Sequence, residues 1–420
     1  MGLDGVDKFD KVDRARFFLI VPLDFEKIAL TELKQKWPTL SHWIRQSERQ
    51  DEMPAVEIVP GGLLLETDLE RGCLLNLLLK VPTRILLRVL SFRCRDFPKL
   101  YNKVRKIPWQ HYLLGQLPEI SASASKSRIM HTGRIKDCML SAIQDFYKAR
   151  PPSKKGVEAA QLLAVPTELY VRFEADECTL SIDTSGDPLY KRSYKTFVGK
   201  APIRENLASA LLMILQEQLP KREVSALIDP MCGSGTFLFE HLFLNCANFS
   251  RDYSFLHLPL FKPFLKHYDE IKSAYSFSVP VPLLSYLGFD IDPETITGAK
   301  SNCTNAVTPV VFETADLFNF KYKKFHDKNM VVLNPPYGER IKTTEMAGGL
   351  REYFHNIVEA IIVTYAPLLL AMVVPRKILM KEKIKGYQVV QTHLFTHGGI
   401  KLRFVIWADK RQKIEDKTPL

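Results

Sequence analysis

The chain runs to 420 residues, 46% hydrophobic, 25% charged and 10% aromatic, which excludes a mostly disordered or fibrous protein and allows two or three domains. Lys and Arg total 58 against 47 Asp and Glu, so the formal net charge is +11, compatible with a polyanionic partner without requiring one. Seven cysteines (Cys73, Cys94, Cys138, Cys178, Cys232, Cys246 and Cys303) form no CxxC pair and no Cys/His cluster at zinc spacing, the pattern of reduced thiols in a cytoplasmic protein with no structural metal.

The opening MGLDGVDKFDKVDRAR is charged and lacks an apolar core, so residues 1–16 read as a disordered lead rather than a secretory signal. Phe17 to Pro22 reads as a strand. Asp24 is placed to cap an amphipathic helix reaching about Lys36, with Ile28, Leu30 and Leu33 apolar. Val56–Val59 and Leu63–Glu66 suit a hairpin around Gly61-Gly62. A Leu-rich helix over Leu69–Leu79 and a strand at Ile85–Phe92 complete a small α+β unit over 17–95.

A second unit is expected over 96–190. Asp96 caps a helix ending near Trp109, Ile120–Ser125 suits a strand, and His131–Tyr147 suits a helix with Ile135, Met139, Ile143 and Phe146 on one face. Thr167–Phe173 and Cys178–Asp183 read as paired strands turning at Asp176. Between Lys99 and Lys155 twelve Lys/Arg stand against three acids, among them Lys103, Arg105, Lys106, Lys126, Arg128, Arg134 and Lys136. Two readings fit this charge equally: a surface for a phosphate backbone, or a solvated face of basic helices.

From residue 191 the pattern changes. A helix at Ile203–Gln218 leads to a strand at Ser225–Asp229, a Gly-rich turn and another helix. Further strands are expected at Tyr286–Asp290, Val310–Glu313, Met330–Leu333, Leu368–Val374, Gln388–Phe395 and Leu402–Trp407. Strands alternating with helices predict an α/β, Rossmann-like domain over 191–420 with a mostly parallel, seven-stranded sheet. The longest apolar stretch, Ile357–Val374, is interrupted by Glu359 and Pro367 and suits a helix running into a buried strand better than a membrane span.

Three motifs carry chemistry. Asp229-Pro-Met-Cys-Gly-Ser-Gly-Thr236 follows an apolar strand and opens a helix; its glycines let backbone N–H groups approach a carboxylate or phosphate. It is neither a P-loop nor a complete G-x-G-x-x-G, and the short turn suits the methionine carboxylate of S-adenosylmethionine better than a pyrophosphate, with Asp229 placed to accept from the methionine ammonium. A ligand-free strand-to-helix turn is the alternative. Gly288-Phe-Asp290-Ile291-Asp292-Pro293 ends the next strand and offers Asp290 to ribose hydroxyls, while Asp292-Pro293 suits a helix cap. Such a carboxylate usually follows the turn by about 20 residues; here an aromatic-rich insertion, roughly Ser250–Leu284, must intervene. Asp316, after the third strand, either reaches an adenine amine or caps its own loop.

The third motif, Asn334-Pro-Pro-Tyr337, follows the strand Met330–Leu333. An exocyclic amine on a base is a poor nucleophile because its lone pair is delocalised into the ring. The Asn334 amide oxygen and the Pro335 carbonyl can accept both N–H bonds and favour a pyramidal nitrogen. Pro335 and Pro336 stiffen the backbone, and Tyr337 offers a ring for stacking. Cys232 lies in the expected cofactor turn, which disfavours a covalent thiolate route.

Together the three motifs resemble the class I S-adenosylmethionine-dependent methyltransferases that modify amino nitrogens. The strings Asn334-Pro-Pro-Tyr-Gly-Glu-Arg340, Asp183-Thr-Ser-Gly-Asp-Pro-Leu-Tyr-Lys-Arg192 and Ala201-Pro-Ile-Arg-Glu-Asn-Leu207 narrow this to the bacterial guanine-N2 RNA methyltransferases that carry a THUMP domain, in particular those acting on 23S ribosomal RNA. The resemblance implies a ferredoxin-like segment (17–95) and an RNA-binding THUMP domain (96–190) before the methyltransferase domain. It implies that Asp229, Gly233, Gly235, Asp290 and Asp316, with Met231, Thr236, Ile291 and Asn334 beside them, hold S-adenosylmethionine, and that Asn334–Tyr337 hold the target amine. Some members of this family fuse a second methyltransferase domain; one activity is expected of this chain. Tyr194-Lys195-Thr196 stands where a Gly often follows the Arg, so the role of that stretch is open. Transfer RNA as the substrate, adenine N6 in DNA or RNA, a catalytically silent RNA-binding assembly factor, and methylation of a protein glutamine, which shares the Asn-Pro-Pro-Tyr string but gives the basic segment no use, are the alternatives. No membrane partner is expected.

Overall fold

A computed structural model describes residues 14–44, 52–152, 167–199, 202–219, 224–275, 284–302, 310–320, 328–337 and 349–410. Residues 1–13 of the expected 1–16 lead, Lys154 and Lys155, Ala201, Cys303 and the Gly338–Arg340 end of the third motif lie outside those residues; the last two residues of that lead, Ala15 and Arg16, begin a strand instead. The chain divides into two compact units: residues 1–21, 29–189 and 248–277, and residues 22–28, 190–247 and 278–420.

The first unit is built on a seven-stranded sheet in the order β2-β3-β1-β4-β7-β6-β5. Its strands are β1 (Ala15–Ile20), β2 (Val56–Val59), β3 (Gly62–Thr67), β4 (Arg84–Arg93), β5 (Glu119–Ser125), β6 (Glu168–Glu174) and β7 (Glu177–Asp183). β4 and β7 pair antiparallel, with Leu86 opposite Asp183, so strands from both expected N-terminal segments share one sheet. The β6–β7 turn places Ala175 and Asp176 at φ of 49° and 65°, the left-handed pair of a tight hairpin, and Asp176 then accepts from the Arg128 amide at 2.8 Å.

Helix α1 (Glu26–Trp43) outruns its expected end and carries Pro38 inside it; Leu40 and Trp43 are buried beyond that proline, and Trp37 just before it. Asp24, expected as its cap, sits instead in a left-handed conformation with φ of 74°. Helix α2 (Leu69–Leu78) is capped by Asp68, which accepts from the Arg71 amide. Helix α3 (Phe97–Arg105) is capped by Asp96 as expected but stops four residues before Trp109, which falls in a following 3₁₀ turn. Helix α4 (Thr132–Ala149) buries Ile135, Met139, Ile143 and Phe146, the face its periodicity predicts.

The aromatic-rich insertion belongs to this first unit. Its Phe249 and Tyr275 rings lie 6.0 and 5.4 Å from Trp43, and Phe255 and Phe261 are fully buried. Asp183-Thr-Ser-Gly186 is likewise structural. Asp183 pairs with Arg84, Thr184 donates to the Ile85 carbonyl at 2.6 Å, and Ser185 donates to Asn76 at 2.6 Å.

The second unit holds an eight-stranded sheet in the order β10-β9-β8-β11-β12-β15-β14-β13. Its strands are β8 (Ala226–Asp229), β9 (Ser285–Asp290), β10 (Val310–Thr314), β11 (Asn329–Leu333), β12 (Leu369–Pro375), β13 (Lys383–Ile384), β14 (Tyr387–His397) and β15 (Ile400–Asp409). β10, β9, β8, β11 and β12 run parallel; β15 and β14 are antiparallel additions. The sheet has one strand more than the seven expected because Lys383-Ile384 folds back on β14, a pairing of two residues too short to leave a period in the sequence. Helices α5 (Glu205–Gln216), α6 (Thr236–Leu242), α8 (Pro293–Ser301) and α9 (Gly349–Tyr365) belong to this unit, while α7 (Leu265–Tyr275) is the insertion's. β8, β11 and β12 are buried throughout, as expected of central parallel strands.

The turn from β8 into α6 needs its glycines for different reasons. Gly233 has φ of 54° with open space where a Cβ would stand. Gly235 has φ of 80°, and a Cβ there would lie 2.7 Å from the Phe312 ring and 2.8 Å from that of Phe239. Gly233→Ala therefore costs the left-handed penalty alone, about 1–2 kcal/mol. Gly235→Ala adds overpacking of about 1–3 kcal/mol. Urea melts are expected to rank Gly235→Ala clearly below Gly233→Ala.

In the first unit Glu32 is fully buried and bound by the Lys36 ammonium at 2.8 Å and the Lys80 and Val81 amides at 2.6 and 3.0 Å. Lys36 also donates to the Leu78 carbonyl at 2.8 Å. Glu32→Ala would strand a buried ammonium and two amides, and is expected to cost about 3–5 kcal/mol in chemical denaturation.

Candidate active site

Because β8, β9 and β11 are parallel neighbours, their C-terminal ends open on one edge of the sheet, and the three motifs follow directly from those ends. They meet at a cavity of about 350 Å³. Of the expected residues, Asp229, Met231, Gly233, Thr236, Asp290, Ile291, Asp316, Asn334 and Pro336 line it. Gly235 lies in the turn behind the lining, and Pro335 and Tyr337 are both buried outside it. Pro336 faces solvent. Tyr337 retains 9% exposure, so its ring does not form an open platform here.

Asp290 organises the edge. Its Oδ2 accepts from the Gly233 amide at 3.0 Å and its Oδ1 from the Asp292 amide at 3.1 Å. Asp292 takes the capping role, accepting from Glu294 N at 3.0 Å with Pro293 in the first turn of α8. Asp229 is 2% exposed and accepts from the Met231 amide at 3.1 Å. Burial pushes its carboxyl well above the ordinary carboxylate range; the Met231 hydrogen bond opposes this, and the nearby Asp290 charge adds to it. Asp316 is both cavity wall and loop cap, its oxygens accepting from the Phe318 amide at 3.0 Å and Asn319 Nδ2 at 2.6 Å. Cys232 also lines the cavity, but burial drives its thiol well above the usual range, so it holds its proton and is a poor nucleophile.

Much of the wall comes from residues the motifs do not include. Gly199, Pro202, Ile203, Thr295, Leu317, Phe318 and Tyr353 all line the cavity. Phe318 is half exposed (49%), and its ring centroid is 6.4 Å from that of Tyr353, so this aromatic pair lines the cavity that Asn334 also lines, whereas Tyr337 does not. Pro202 and Ile203 belong to the Ala201–Leu207 string and could have been read from it. Tyr353 lies on α9, where its helical period signals only packing.

The stretch Tyr194-Lys195-Thr196 straps the turn from behind. Lys195 Nζ donates to Glu205 and to Thr236 Oγ1, both at 2.7 Å. Asn302 accepts from the Thr196 and Phe197 amides at 2.9 Å and donates to the Ser234 carbonyl at 3.2 Å.

The seven basic residues expected to meet RNA lie in the first unit and all are exposed. Lys103 and Arg105 are on α3, Lys106 caps its C-terminus, Lys126 and Arg128 follow β5, and Arg134 and Lys136 are on α4. Arg134 stacks over Phe97 at 4.5 Å, and Tyr101 donates to Asp145 at 2.5 Å, which ties α3 to α4. Among the described residues no group of three or more His, Cys, Asp or Glu could hold a metal, and no helix is long and apolar enough to cross a membrane.

Comparison with known proteins gives the family of the second unit. The family model of the RMKL-like methyltransferase domain, UPF0020, matches residues 192–402, half of the chain. Ribosomal RNA large subunit methyltransferase K/L of Pseudomonas fluorescens is 30% identical over 293 residues, covering 65% of this chain and 37% of that protein. The protein of the same name from Desulfotalea psychrophila is 28% identical, covering 72% and 42%. The chain thus spans about 40% of the length of the curated relatives it matches. Two solved structures share the fold: a possible methylase from Clostridium difficile 630 (TM-score 0.71, 20% identity, 97% of this chain and 100% of that one) and TrmN from Thermus thermophilus (0.61, 14%, 94% and 99%). The chain belongs to the RMKL-like methyltransferase domain family.

Proposed function

We propose that the protein transfers a methyl group from S-adenosylmethionine to the exocyclic N2 amine of a guanine in large-subunit ribosomal RNA. One observation carries this reading: Asn334, at the end of β11, shares a single cavity with the glycine turn after β8 and with Asp290 after β9. The relatives' names, ribosomal RNA large subunit methyltransferase K/L, supply the RNA class. The exposed basic residues of the first unit, on what we read as a THUMP domain over 96–190 after a ferredoxin-like segment, give that RNA a surface.

The residues suit this cofactor. A buried carboxyl whose proton is held by desolvation, Asp229, is matched to a cationic partner such as the methionine ammonium. The turn amides around Gly233 suit a carboxylate. Asp290 spends one lone pair per oxygen on the glycine turn and on its own loop, Asp316 one per oxygen on its own loop, and each keeps another for ribose hydroxyls or an adenine amine. When bound, S-adenosylmethionine supplies a methyl group on a sulfonium, already activated for displacement. The chain's own work is placement. Asn334 Oδ1 and the Pro335 carbonyl accept the two N–H bonds of the target amine, localise its lone pair and aim it. A flipped guanine reaches this edge because a stacked, paired base cannot. No strong base is required, since the proton leaves after the methyl group has been received. Near-attack placement is worth several kcal/mol of barrier, on the order of 7 at its best.

Mass spectrometry of digested ribosomal and transfer RNA from cells with and without the gene is expected to show one 2-methylguanine missing from large-subunit rRNA. Loss from transfer RNA alone, or loss of 6-methyladenine, would redirect the substrate. Asn334→Ala is expected to lower turnover by about a hundredfold or more while S-adenosylhomocysteine binding persists, as the loss of one positioned polar group in comparable sites does.

Asp229 sets a pH dependence. In the free protein its carboxyl stays protonated above the ordinary range, and the ammonium favours the ionised form, so binding releases a proton. S-adenosylhomocysteine affinity measured by calorimetry is expected to rise with pH, by up to about tenfold per unit, until the free carboxyl ionises. Asp229→Asn is expected to weaken binding and flatten that rise.

A further inference from the structure

The antiparallel half of the second unit's sheet ends on the same edge as the amine motif, and its acids are confined to the opposite end. β11 and β12 are parallel with Leu333 opposite Met372, so the end of β12 at Pro375 lies on the side of Asn334. β15 runs the other way, and Leu402 stands opposite Pro375, which brings the start of β15 to that side as well. Arg376, Lys377, Lys401 and Arg403 therefore gather there. The Arg376 amide donates to the Lys401 carbonyl at 2.9 Å, and Arg403 donates to the Arg376 carbonyl, so the four are held as neighbours by the backbone. Arg376, Lys377 and Lys401 are exposed and Arg403 is half-buried, and none of the four forms an ion pair among the described residues.

The acids of this segment are at the other end. The Asp409 amide donates to the Leu368 carbonyl at 3.2 Å, just before β12, and the Glu382 carbonyl accepts from the Val389 amide near the start of β14. A basic residue at that far end does find a carboxylate: Lys385 is 3.0 Å from Glu359. Like charges fixed side by side on adjacent strands repel and cost stability. The far end also carries Lys381, Lys383, Lys385 and Lys410, but there Glu359, Glu382 and Asp409 are interspersed with them, whereas the four beside the amine motif have no acid of this segment among them. Grouping four unbalanced charges there is a cost that a polyanion relieves.

We propose that Arg376, Lys377, Lys401 and Arg403 form a phosphate track on the methyltransferase unit, holding the backbone of the RNA strand that flanks the methylated guanine. This rests on the proposed RNA substrate. β15 lies two strand spacings from β11, about 10 Å, so the track meets phosphates within a few nucleotides of the base. The track fixes the strand close to the amine pocket, a separate task from the general affinity supplied by the basic helices of the first unit.

The test uses the full chain and an unmethylated large-subunit rRNA transcript, with affinity measured across a salt series. Lys377→Ala/Lys401→Ala is expected to weaken RNA binding about tenfold near 0.15 M salt and to reduce the slope of log affinity against log salt by about 1.4–1.8. Melting temperature and S-adenosylhomocysteine binding are expected to stay at wild-type values. Lys381→Ala/Lys383→Ala, at the far strand end, removes the same charge and is expected to leave the slope nearly unchanged. Wild-type RNA affinity and slope in the first double variant, or an equal loss in the second, would overturn the track. A wild-type chain that binds no RNA at low salt would take down the proposed substrate and the track with it.

Discussion

Asp290 spends both carboxylate oxygens on backbone amides, one from the glycine turn after β8 and one from the start of its own loop. That pair of bonds fastens the ends of two neighbouring parallel strands to each other at the point where both must face a ligand. Charge-assisted bonds of this kind are short and directional. They let a turn with two left-handed glycines keep one shape rather than sample several. The position of Asn334 relative to that turn then follows from sheet register, because β11 pairs parallel with β8 and ends on the same edge. The cavity is the product of one carboxylate clamp and one strand pairing.

Behind the turn lies a second layer that is largely buried. Glu240 on α6 is 2% exposed and is satisfied by Arg192 at 3.1 Å, Tyr194 at 2.8 Å and Ser209 at 2.5 Å. Burial and the adjacent Glu240 carboxylate push the Tyr194 hydroxyl far above its usual range, so it stays a donor. Desolvating such a group is expensive unless every lone pair is used, and a network of this kind is rigid for the same reason. The strap from Arg192 to Phe197 therefore works as a brace on α6 and on the turn that opens it.

The amino-acid sequence carried the site's floor but only part of its walls. The glycine turn, Asp290 and Asn334 were legible because each motif is contiguous and follows an apolar strand, so chemistry and position are encoded together. Phe318 and Tyr353 were not, since nothing local distinguishes a cavity-facing aromatic from a core one; only tertiary placement does. Tyr337 shows the reverse case. Its residue type suits stacking, yet the fold buries it and leaves Phe318 open instead. Helix α1 passed Pro38 because Leu40 and Trp43 beyond it are buried, and their burial offsets what the proline costs. The insertion between α6 and β9 was visible as a gap in motif spacing, but its membership in the first unit's core depends on contacts with Trp43 that no periodicity reports.

The proposed reaction requires the sulfur of the cofactor to sit between the glycine turn and Asn334. A crystal structure of the protein with S-adenosylhomocysteine tests this most directly. The expected result is the amino-acid end of the ligand at Asp229 and the Gly233 turn, the ribose at Asp290, and the sulfur facing Asn334 and the Pro335 carbonyl. A ligand bound away from this cavity, or one whose sulfur points away from Asn334 with the amino-acid end at Asp316, would contradict it.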